Sequence, residues 1–510
     1  VLLAGPVGHR RHHPRPAGRP GGRALSEQRM FWRGVWGYLP AQIVQGVVGF
    51  LTIFVFTRLL SPADFGHYAL AFSVTTLAHT VTFSWLEASM ARFWAAERTP
   101  QGLAAHFASL YRTSFAIIAV FTPIAALVVW LAPLPPALKI AVAFGLAGAP
   151  VRNLAKLAQE RFRAAGEVSK AARVDIGVSI LGFLVGAGFA VAGAGAASPL
   201  LGLAIAPLFA LPFILPGELR QATGGTVDRA RLKAYAAYGY PIAASLTLAV
   251  VLASTDRFLL AAFMDAGAVG AYHASYSLAN RTLDVIFIWL GAAGAPAMVM
   301  ALERGGREAL RRTALEQGST LILIGLPAAV GLSLVARPLA ELMIGQDLRA
   351  AAALVTPWIA ASSFLSGMIA YYFGFGFTLG KKTGLLLVTM AIPALCNVAL
   401  NLILIPRLGV LGAAVSTAAS FAIGLIACLL LSRRAIALPM PWEALIRCGI
   451  ASAVMAGVVW LLPPIGGFVE LMLDASVGGL VYAFVALTLN AAGVRDVLMR
   501  LIRARRSVPA

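Results

Sequence analysis

Apolar runs of about 20 residues, separated by short polar segments, recur along the whole chain. One run of that length crosses the ~30 Å hydrocarbon core of a bilayer as an α-helix. The pattern therefore predicts an all-α polytopic membrane protein with about 14 transmembrane helices. Their predicted ranges are 37–57, 67–88, 113–131, 137–157, 173–193, 198–217, 239–261, 271–296, 318–338, 351–377, 383–405, 408–431, 445–463 and 470–491.

One helical unit occurs twice in this pattern. Residues 37–68 run from Gly-Tyr-Leu-Pro through an apolar stretch and a turn to Gly66, and residues 239–272 repeat that order to Gly270. The two copies open predicted helices one and seven, so both halves enter the membrane from the same side. We therefore expect two six-helix bundles in a parallel pseudo-twofold repeat, plus an extra C-terminal helix pair.

The domain organisation follows from the same pattern. We expect a disordered basic tail, because the first residues are rich in arginine and proline and hold no apolar run. The remaining segments are the two bundles, a basic linker, the helix pair and a basic amphipathic tail. The predicted boundaries are 1–36 for the first tail, 37–217 for the first bundle, 218–238 for the linker, 239–431 for the second bundle, 432–491 for the helix pair and 492–510 for the amphipathic tail.

Composition supports the membrane interpretation. Only 12% of the 510 residues are charged, 59% are hydrophobic and the mean hydropathy is +0.83, whereas soluble proteins have about 25% charged residues. The net charge of +20 would indicate a nucleic-acid partner in a soluble protein. Here the basic residues lie mostly in alternate short loops, which marks those loops as cytoplasmic. We expect both termini to be cytoplasmic and no nucleic acid to be bound.

Several function classes lack their motifs. The sequence has no phosphate-binding Walker loop, no His-Glu-x-x-His zinc motif and no carboxylate cluster for a sugar-nucleotide metal site. The three cysteines lie far apart in apolar segments, without the spacing of metal ligands. We therefore expect no catalytic residues, no metal and no cofactor, and we do not expect an enzyme.

Arg281 is the strongest candidate for chemistry, because it falls near the middle of predicted helix eight, where an uncompensated charge is costly. Asp284 shares its helix face and Asn280 precedes it. One interpretation is a cationic lining for an anionic ligand, with Asp284 orienting the guanidinium. The alternative is a self-neutralising Arg–Asp pair inside the bundle.

Three further charged residues lie near the outer ends of predicted helices. Arg58 and Arg257 occupy matching places in the two halves and either line the same cavity or extend their side chains to the interface. Asp64 lies in the turn between helices one and two, as a gate contact or as a solvated turn residue.

Three stretches resemble one family. Residues Phe54–Ala71 resemble the first helix and turn of polysaccharide or O-antigen flippases, which belong to the multidrug/oligosaccharidyl-lipid/polysaccharide exporter superfamily. Residues Ser254–Leu260 with Ala268–Tyr272 resemble the start of the second half of these proteins, and Ile405–Ala414 resembles a later turn. The order and spacing of the three stretches within the helix pattern carry the resemblance, which spans roughly residues 30–491.

The resemblance implies a flippase that moves undecaprenyl-pyrophosphate-linked oligosaccharide units by alternating access, for polysaccharide or lipopolysaccharide biosynthesis. It places the protein in the bacterial cytoplasmic (inner) membrane, with a polysaccharide polymerase and glycosyltransferases as partners besides membrane lipids. It assigns a cationic cavity to Arg281, Arg58 and Arg257, and a groove for the lipid tail to the extra helix pair. The alternatives are a multidrug/cation antiporter of the same superfamily and a membrane glycosyltransferase or polymerase.

Overall fold

A computed structural model describes residues 20–97 and 99–506. This part of the chain folds into α-helices joined by short turns. The helices are α1 Pro20–Leu59, α2 Pro62–Trp94, α3 Pro100–Leu131, α4 Pro136–Ala164, α5 Val168–Val191, α6 Ser198–Gln221, α7 Arg229–Phe263, α8 Ala266–Leu334, α9 Ala336–Met343, α10 Arg349–Met368, α11 Phe375–Leu379, α12 Thr383–Leu408, α13 Val410–Ser432, α14 Trp442–Trp460, α15 Gly467–Thr488 and α16 Val494–Arg506.

Within the described ranges, 13 helical stretches are long and apolar enough to cross a membrane. One of them, α8, has 69 residues, which would extend about 100 Å as a single rod. Gly306 interrupts it with φ 66° and ψ −159°, a conformation that only glycine adopts without strain. Helix α8 therefore contains two spans, 266–305 and 307–334. The chain is a multi-pass helical membrane protein with about 14 crossings, as predicted.

Some helix ends differ from the prediction. Helix α1 begins at Pro20, so that residues 20–36 of the predicted tail have a helical backbone, because no proline occurs between Gly21 and Leu39. Residues 1–19 lie outside the described residues. Helix α7 begins at Arg229, so that most of the predicted linker 218–238 is helical. The predicted loop between 296 and 318 is also helical on both sides of Gly306.

Matching caps begin the second helix of each half. Ser61 precedes α2, and its Oγ accepts a hydrogen bond of 3.1 Å from the backbone N–H of Asp64. Asp265 precedes α8, and its Oδ1 accepts a hydrogen bond of 2.8 Å from the backbone N–H of Ala268. Such caps satisfy donors that a helix N-terminus leaves free. The two caps occupy the same place in the repeated unit, and they fix the turns that form one end of the molecule, called here the turn end.

The two bundles meet near the turn end and also at the other end of α2, where Trp85 lies against Gly239 of α7. Helix α2 of the first bundle packs against both α7 and α8 of the second. One core cluster joins residues of the first bundle, such as Phe65 and Tyr68, to residues of the second, such as Ala274 and Leu278. The short segment 222–228 between α6 and α7 lies at the opposite end, called here the linker end. Helices α14 and α15 pack on each other, on α8 and on α9, outside the second bundle.

Candidate functional site

Arg281 reaches from one bundle to the other. It lies about 22 Å along the axis of α8 from Ala266, at ~1.5 Å per residue. Its guanidinium lies against Gly49 of α1, so closely that a Cβ at Gly49 would overlap Nη1. A glycine there leaves room for the guanidinium between α1 and α8. The residue that sequence reasoning placed at mid-span is therefore also the contact between the two halves.

The charge of Arg281 has no carboxylate partner within 4 Å among the described residues. Asp284 instead accepts a hydrogen bond of 2.6 Å from Nδ2 of Asn280, and Asn280 Oδ1 accepts one of 3.2 Å from Ser363 in α10. Asn280 lies one helical turn before Asp284, so that their side chains are neighbours on one face of the helix. No ion pair within 4 Å joins Asp284 to Arg281 among the described residues, although Arg281 acts electrostatically on Asp284. The predicted orienting contact and the alternative self-neutralising pair both stay predictions.

A second arginine approaches the same interface from α7. Arg257 is buried, donates to the carbonyl oxygen of Ala253 at 2.9 Å and lies over the ring of Tyr276. Arg257 and Arg281 both act electrostatically on Tyr68 and His273. The structure therefore brings the two predicted arginines to one aromatic pair between the bundles.

Tyr68 and His273 form that pair, with ring centroids 5.9 Å apart, and Phe65 lies 5.6 Å from the imidazole. Sequence reasoning used Tyr68 only to align the repeat, and it missed His273. The available signal was the position of His273 directly after Tyr272, in the matching part of the second copy.

Asp256, next to Arg257 in sequence, has a separate environment. It is 2% exposed and its carboxylate accepts hydrogen bonds from Tyr272 Oη at 2.5 Å, Asn401 Nδ2 at 2.5 Å and Thr417 Oγ1 at 2.9 Å. Three donors offset much of the desolvation of a buried carboxylate. Asp256 and Arg257 are neighbours in sequence, but their side chains make different contacts.

A cavity of about 240 Å³ lies inside the second bundle, between α7, α8, α10, α12 and α13. Asp256 and Asp284 line it together with Asn397 and Thr417. No lining residue of this cavity comes from the first bundle, so the predicted chamber between the halves stays a prediction. Within the described residues, no group of three or more His, Cys, Asp or Glu side chains is arranged to hold a metal ion.

An apolar groove of about 390 Å³ lies between the second part of α8 and the pair α14–α15. Leu332, Met455 and Val459 are among its lining residues, and Thr282 of the first part of α8 also contributes. Thr282 directly follows Arg281 in sequence, so that the lining of the groove reaches the residue next to Arg281, whose own side chain faces α1. Asp474 of α15 is the acidic residue of its lining.

Arg58 forms a clasp at the turn end. Its Nη2 donates to the carbonyl oxygen of Leu342 at 2.7 Å and its Nη1 to that of Met343 at 3.2 Å, which are free carbonyls at the end of α9. Thr57 Oγ1 also accepts a hydrogen bond of 2.9 Å from the N–H of Gly345. The structure therefore places Arg58 in a contact between the bundles, away from Arg281.

The carboxylate of Asp64 makes its hydrogen bond within its own turn. Its Oδ2 accepts a hydrogen bond of 2.8 Å from Ser61 Oγ, and an acidic side chain in the first turn suits the positive N-terminus of α2. Gly195, in the turn between α5 and α6, lies next to the same carboxylate. Whether Asp64 acts as a gate stays a prediction.

Comparison with known proteins gives one family. The model of the family described as "Polysaccharide biosynthesis protein" matches residues 55–353, which is more than half of the chain. The match covers all six predicted site residues. The search of curated proteins gave no match.

Solved structures share the fold. Lipid II flippase MurJ, in an inward closed conformation, is similar with a TM-score of 0.70 and 12% identity, over 90% of this chain and 99% of that one. A multidrug resistance MATE family transporter of the MOP superfamily is similar in its inward-facing conformation with a TM-score of 0.59 and 17% identity, over 77% and 94% of the two chains. Its outward-facing conformation gives 0.54 and 16%, over 79% and 95%. At these identities the similarity shows the fold alone.

Proposed function

The chain belongs to the polysaccharide biosynthesis protein family, and from that membership we propose that it is a flippase for undecaprenyl-pyrophosphate-linked oligosaccharide units. It moves each unit from the cytoplasmic to the outer leaflet by alternating access, for polysaccharide or lipopolysaccharide biosynthesis. The similar structures, a lipid II flippase and multidrug transporters, support a transport activity of this kind.

The observation that carries the proposal is the position of Arg281 beside the apolar groove. A lipid-linked glycan has an anionic diphosphate joined to a long apolar chain. Arg281 offers a guanidinium without a carboxylate partner in the described chain, and Thr282, the next residue, lines the groove of about 390 Å³. A cation for the diphosphate and an apolar groove for the chain are thus offered by neighbouring residues of α8.

The chemistry of the guanidinium suits the diphosphate. Arginine presents planar donors that bind phosphate oxygens in pairs, and these charge-assisted hydrogen bonds are stronger than neutral ones. Arg257 adds a second positive charge at the Tyr68–His273 pair. Arg281 is exposed although its guanidinium rests against Gly49, so that a ligand entering between α1 and α8 would reach it.

Location and partners follow from the same proposal. The protein lies in the bacterial cytoplasmic membrane with the linker end inside, since the loops at that end carry most of the basic residues. Glycosyltransferases build the glycan before transport, and a polymerase uses it afterwards. The protein itself makes or breaks no covalent bond.

The second candidate is a multidrug/cation antiporter. The observation that favours it is the cavity of about 240 Å³ with two carboxylates, Asp256 and Asp284, because a cationic substrate requires acidic groups. A membrane glycosyltransferase or polymerase is the third candidate, and glycosidic bond formation by the purified protein would identify it.

A complementation experiment separates these candidates. The gene is expressed in a bacterium that lacks its own flippase for lipid-linked O-antigen units and has a defined set of drug exporters. We expect surface polysaccharide to return and lipid-linked units to stop accumulating inside, with unchanged drug resistance. Raised drug resistance without surface polysaccharide, at normal protein level in the membrane, would contradict the flippase proposal and support the antiporter.

A further inference from the structure

A groove of about 670 Å³ lies in the first bundle, between α4 and α5 on one side and α6 on the other. Its walls are apolar along most of their length, with Val178 and Leu181 from α5 and Phe209 and Phe213 from α6. Phe213 is 88% exposed. The groove shares no lining residue with the cavity at Asp256 or with the groove at Thr282.

The groove has one polar end. Arg161, Lys170 and Arg173 line it there together with Glu218 and Gln221. The membrane spans begin and end at the same place, since α4 ends at Ala164, α5 begins at Val168 and α6 ends at Gln221. The basic groups therefore lie at headgroup level, at the linker end of the molecule. Leu181 follows Arg173 by about 12 Å along α5, at ~1.5 Å per residue, so that the apolar walls extend into the acyl-chain region.

The polar end carries a net positive charge. Arg161 donates to Glu218 at 2.6 and 3.0 Å and to Glu167 at 2.7 Å. Lys170 lies 2.6 Å from Glu167, and this contact lowers the pKa of Glu167, so that the carboxylate is ionised at neutral pH. The remaining cation, Arg173, contacts only the carbonyl oxygen of Ser169 at 3.3 Å among the described residues. Three cations thus face two carboxylates, which leaves one positive charge for a ligand.

Two glycines keep the groove open. A Cβ built on Gly177 of α5, or on Gly217 of α6, would meet no atom within 4 Å. A larger side chain at Gly177 would therefore project into the groove without displacing the protein around it. The groove is an empty space in the fold and requires no rearrangement to accept a chain molecule.

We propose that this groove binds one diacyl phospholipid with an anionic headgroup, from the leaflet at the linker end. The phosphate lies at Arg173, where a single negative charge balances the unpaired guanidinium, and an acyl chain lies between Leu181 and Phe213. The combination of a basic end at headgroup level and apolar walls at acyl-chain depth selects an anionic lipid over a zwitterionic one.

Native mass spectrometry of the full-length protein tests the occupant. The purified protein is titrated with phosphatidylglycerol, and separately with phosphatidylcholine of the same acyl chains. We expect phosphatidylglycerol to bind about tenfold more tightly. Equal binding of the two lipids would overturn the proposal. So would tighter binding of undecaprenyl phosphate than of phosphatidylglycerol in the same groove, because the groove would then serve the transported lipid.

Paired variants test whether the lipid binds in this groove. Gly177→Leu fills the groove, whereas Gly188→Leu is its control, because Gly188 lies exposed on the same helix, is also free of neighbours within 4 Å and does not line the groove. We expect about tenfold weaker phosphatidylglycerol binding in the first variant only. An unchanged affinity for Gly177→Leu would overturn the proposal.

The charge is tested in the same way. Arg173→Gln removes the unpaired cation, and Arg220→Gln removes an exposed arginine at the same end of α6 that does not line the groove. We expect only Arg173→Gln to abolish the preference for phosphatidylglycerol over phosphatidylcholine. Glycerol phosphate, the headgroup without acyl chains, is expected to leave the melting temperature unchanged. A preference retained in Arg173→Gln, or full stabilisation by glycerol phosphate alone, would overturn the proposal.

Discussion

Gly66 and Gly270 make reciprocal contacts between the two halves of the protein. A Cβ on Gly66 would overlap the carbonyl oxygen of Ala266, and a Cβ on Gly270 would lie 2.6 Å from the carbonyl oxygen of Pro62. Pro62 and Gly66 stand in the first copy of the repeated unit where Ala266 and Gly270 stand in the second. The turn end is therefore closed by a pseudo-twofold contact in which each glycine approaches the backbone of the other half.

That contact predicts the effect of adding one methyl group. Gly66→Ala would separate α2 from α8, because the obstructing atom is a backbone oxygen that cannot rotate away. We expect the turn end to open more often. A cysteine placed at Ala274, within the interface core, should then react several-fold faster with a water-soluble maleimide than in the unchanged background, after Cys396, Cys428 and Cys448 are replaced by alanine.

Gly46→Ala is the control for this experiment, because a Cβ at Gly46 in α1 would meet no atom within 4 Å. Its labelling rate should equal that of the background. If Gly66→Ala also labels at the background rate, the glycine contact does not hold the turn end closed.

The buried carboxylate of Asp256 predicts a stability effect. Asp256→Ala removes the acceptor that Tyr272, Asn401 and Thr417 share. Asn401 and Thr417 also donate to Asn397 and to the carbonyl oxygen of Ala413, and each buried donor that is left unsatisfied costs about 1–3 kcal/mol. We expect a clearly lower melting temperature of the purified protein, and a smaller decrease for Asp256→Asn, which retains one acceptor oxygen. Glu303→Ala, at an exposed position, should melt as the unchanged protein does. Equal melting of Asp256→Ala and the unchanged protein would show that the network contributes no stability.

The ion pair between Arg161 and Glu218 joins α4 to the end of α6. Glu218 is 0% exposed, and loss of one partner from a buried pair costs about 3–5 kcal/mol because the other charge stays buried. We expect Glu218→Met and Arg161→Met each to lower the melting temperature, and the double variant to melt above either single variant. Additive losses in the double variant would mean that the two side chains stabilise the fold independently.

Membrane topology is open to a direct test. Gly195 lies at the turn end beside Asp64, and Gly224 lies in the segment between α6 and α7 at the linker end. Alkaline phosphatase, which is active only outside the cytoplasm, should be active when fused after Gly195 and inactive when fused after Gly224. The reverse pattern would invert the orientation inferred from the basic loops.

The sequence predicted the fold well, because hydrophobic length and loop charge are local properties. The repeat of Gly66 and Gly270 identified the two halves, and their contact explains why both positions are glycine. Side-chain partners were harder to predict. Helical spacing placed Asp284 near Arg281, but Asn280 is one full turn from Asp284 and forms the hydrogen bond instead.

Contacts between distant segments could not be predicted from spacing. Gly49 and Arg281, or Asp256 and Thr417, meet only after the helices pack, and no local pattern specifies which faces meet. The place of the break in α8 could not be predicted either. The sequence pattern predicted two spans with a loop between them, whereas the chain stays helical up to a single interruption at Gly306, where φ is positive.

Transport by the purified protein tests the role of Arg281 most directly. In proteoliposomes that contain a lipid-linked oligosaccharide, the fraction of glycan accessible from outside is followed with a lectin or a glycosidase. We expect transport by the unchanged protein and by an Arg304→Ala control, and a loss of about tenfold or more in Arg281→Ala, since one charged hydrogen-bonding group contributes about 1.5–3 kcal/mol. Arg281→Lys should lie between them. Equal transport by Arg281→Ala and the unchanged protein, at equal reconstitution, would contradict the account.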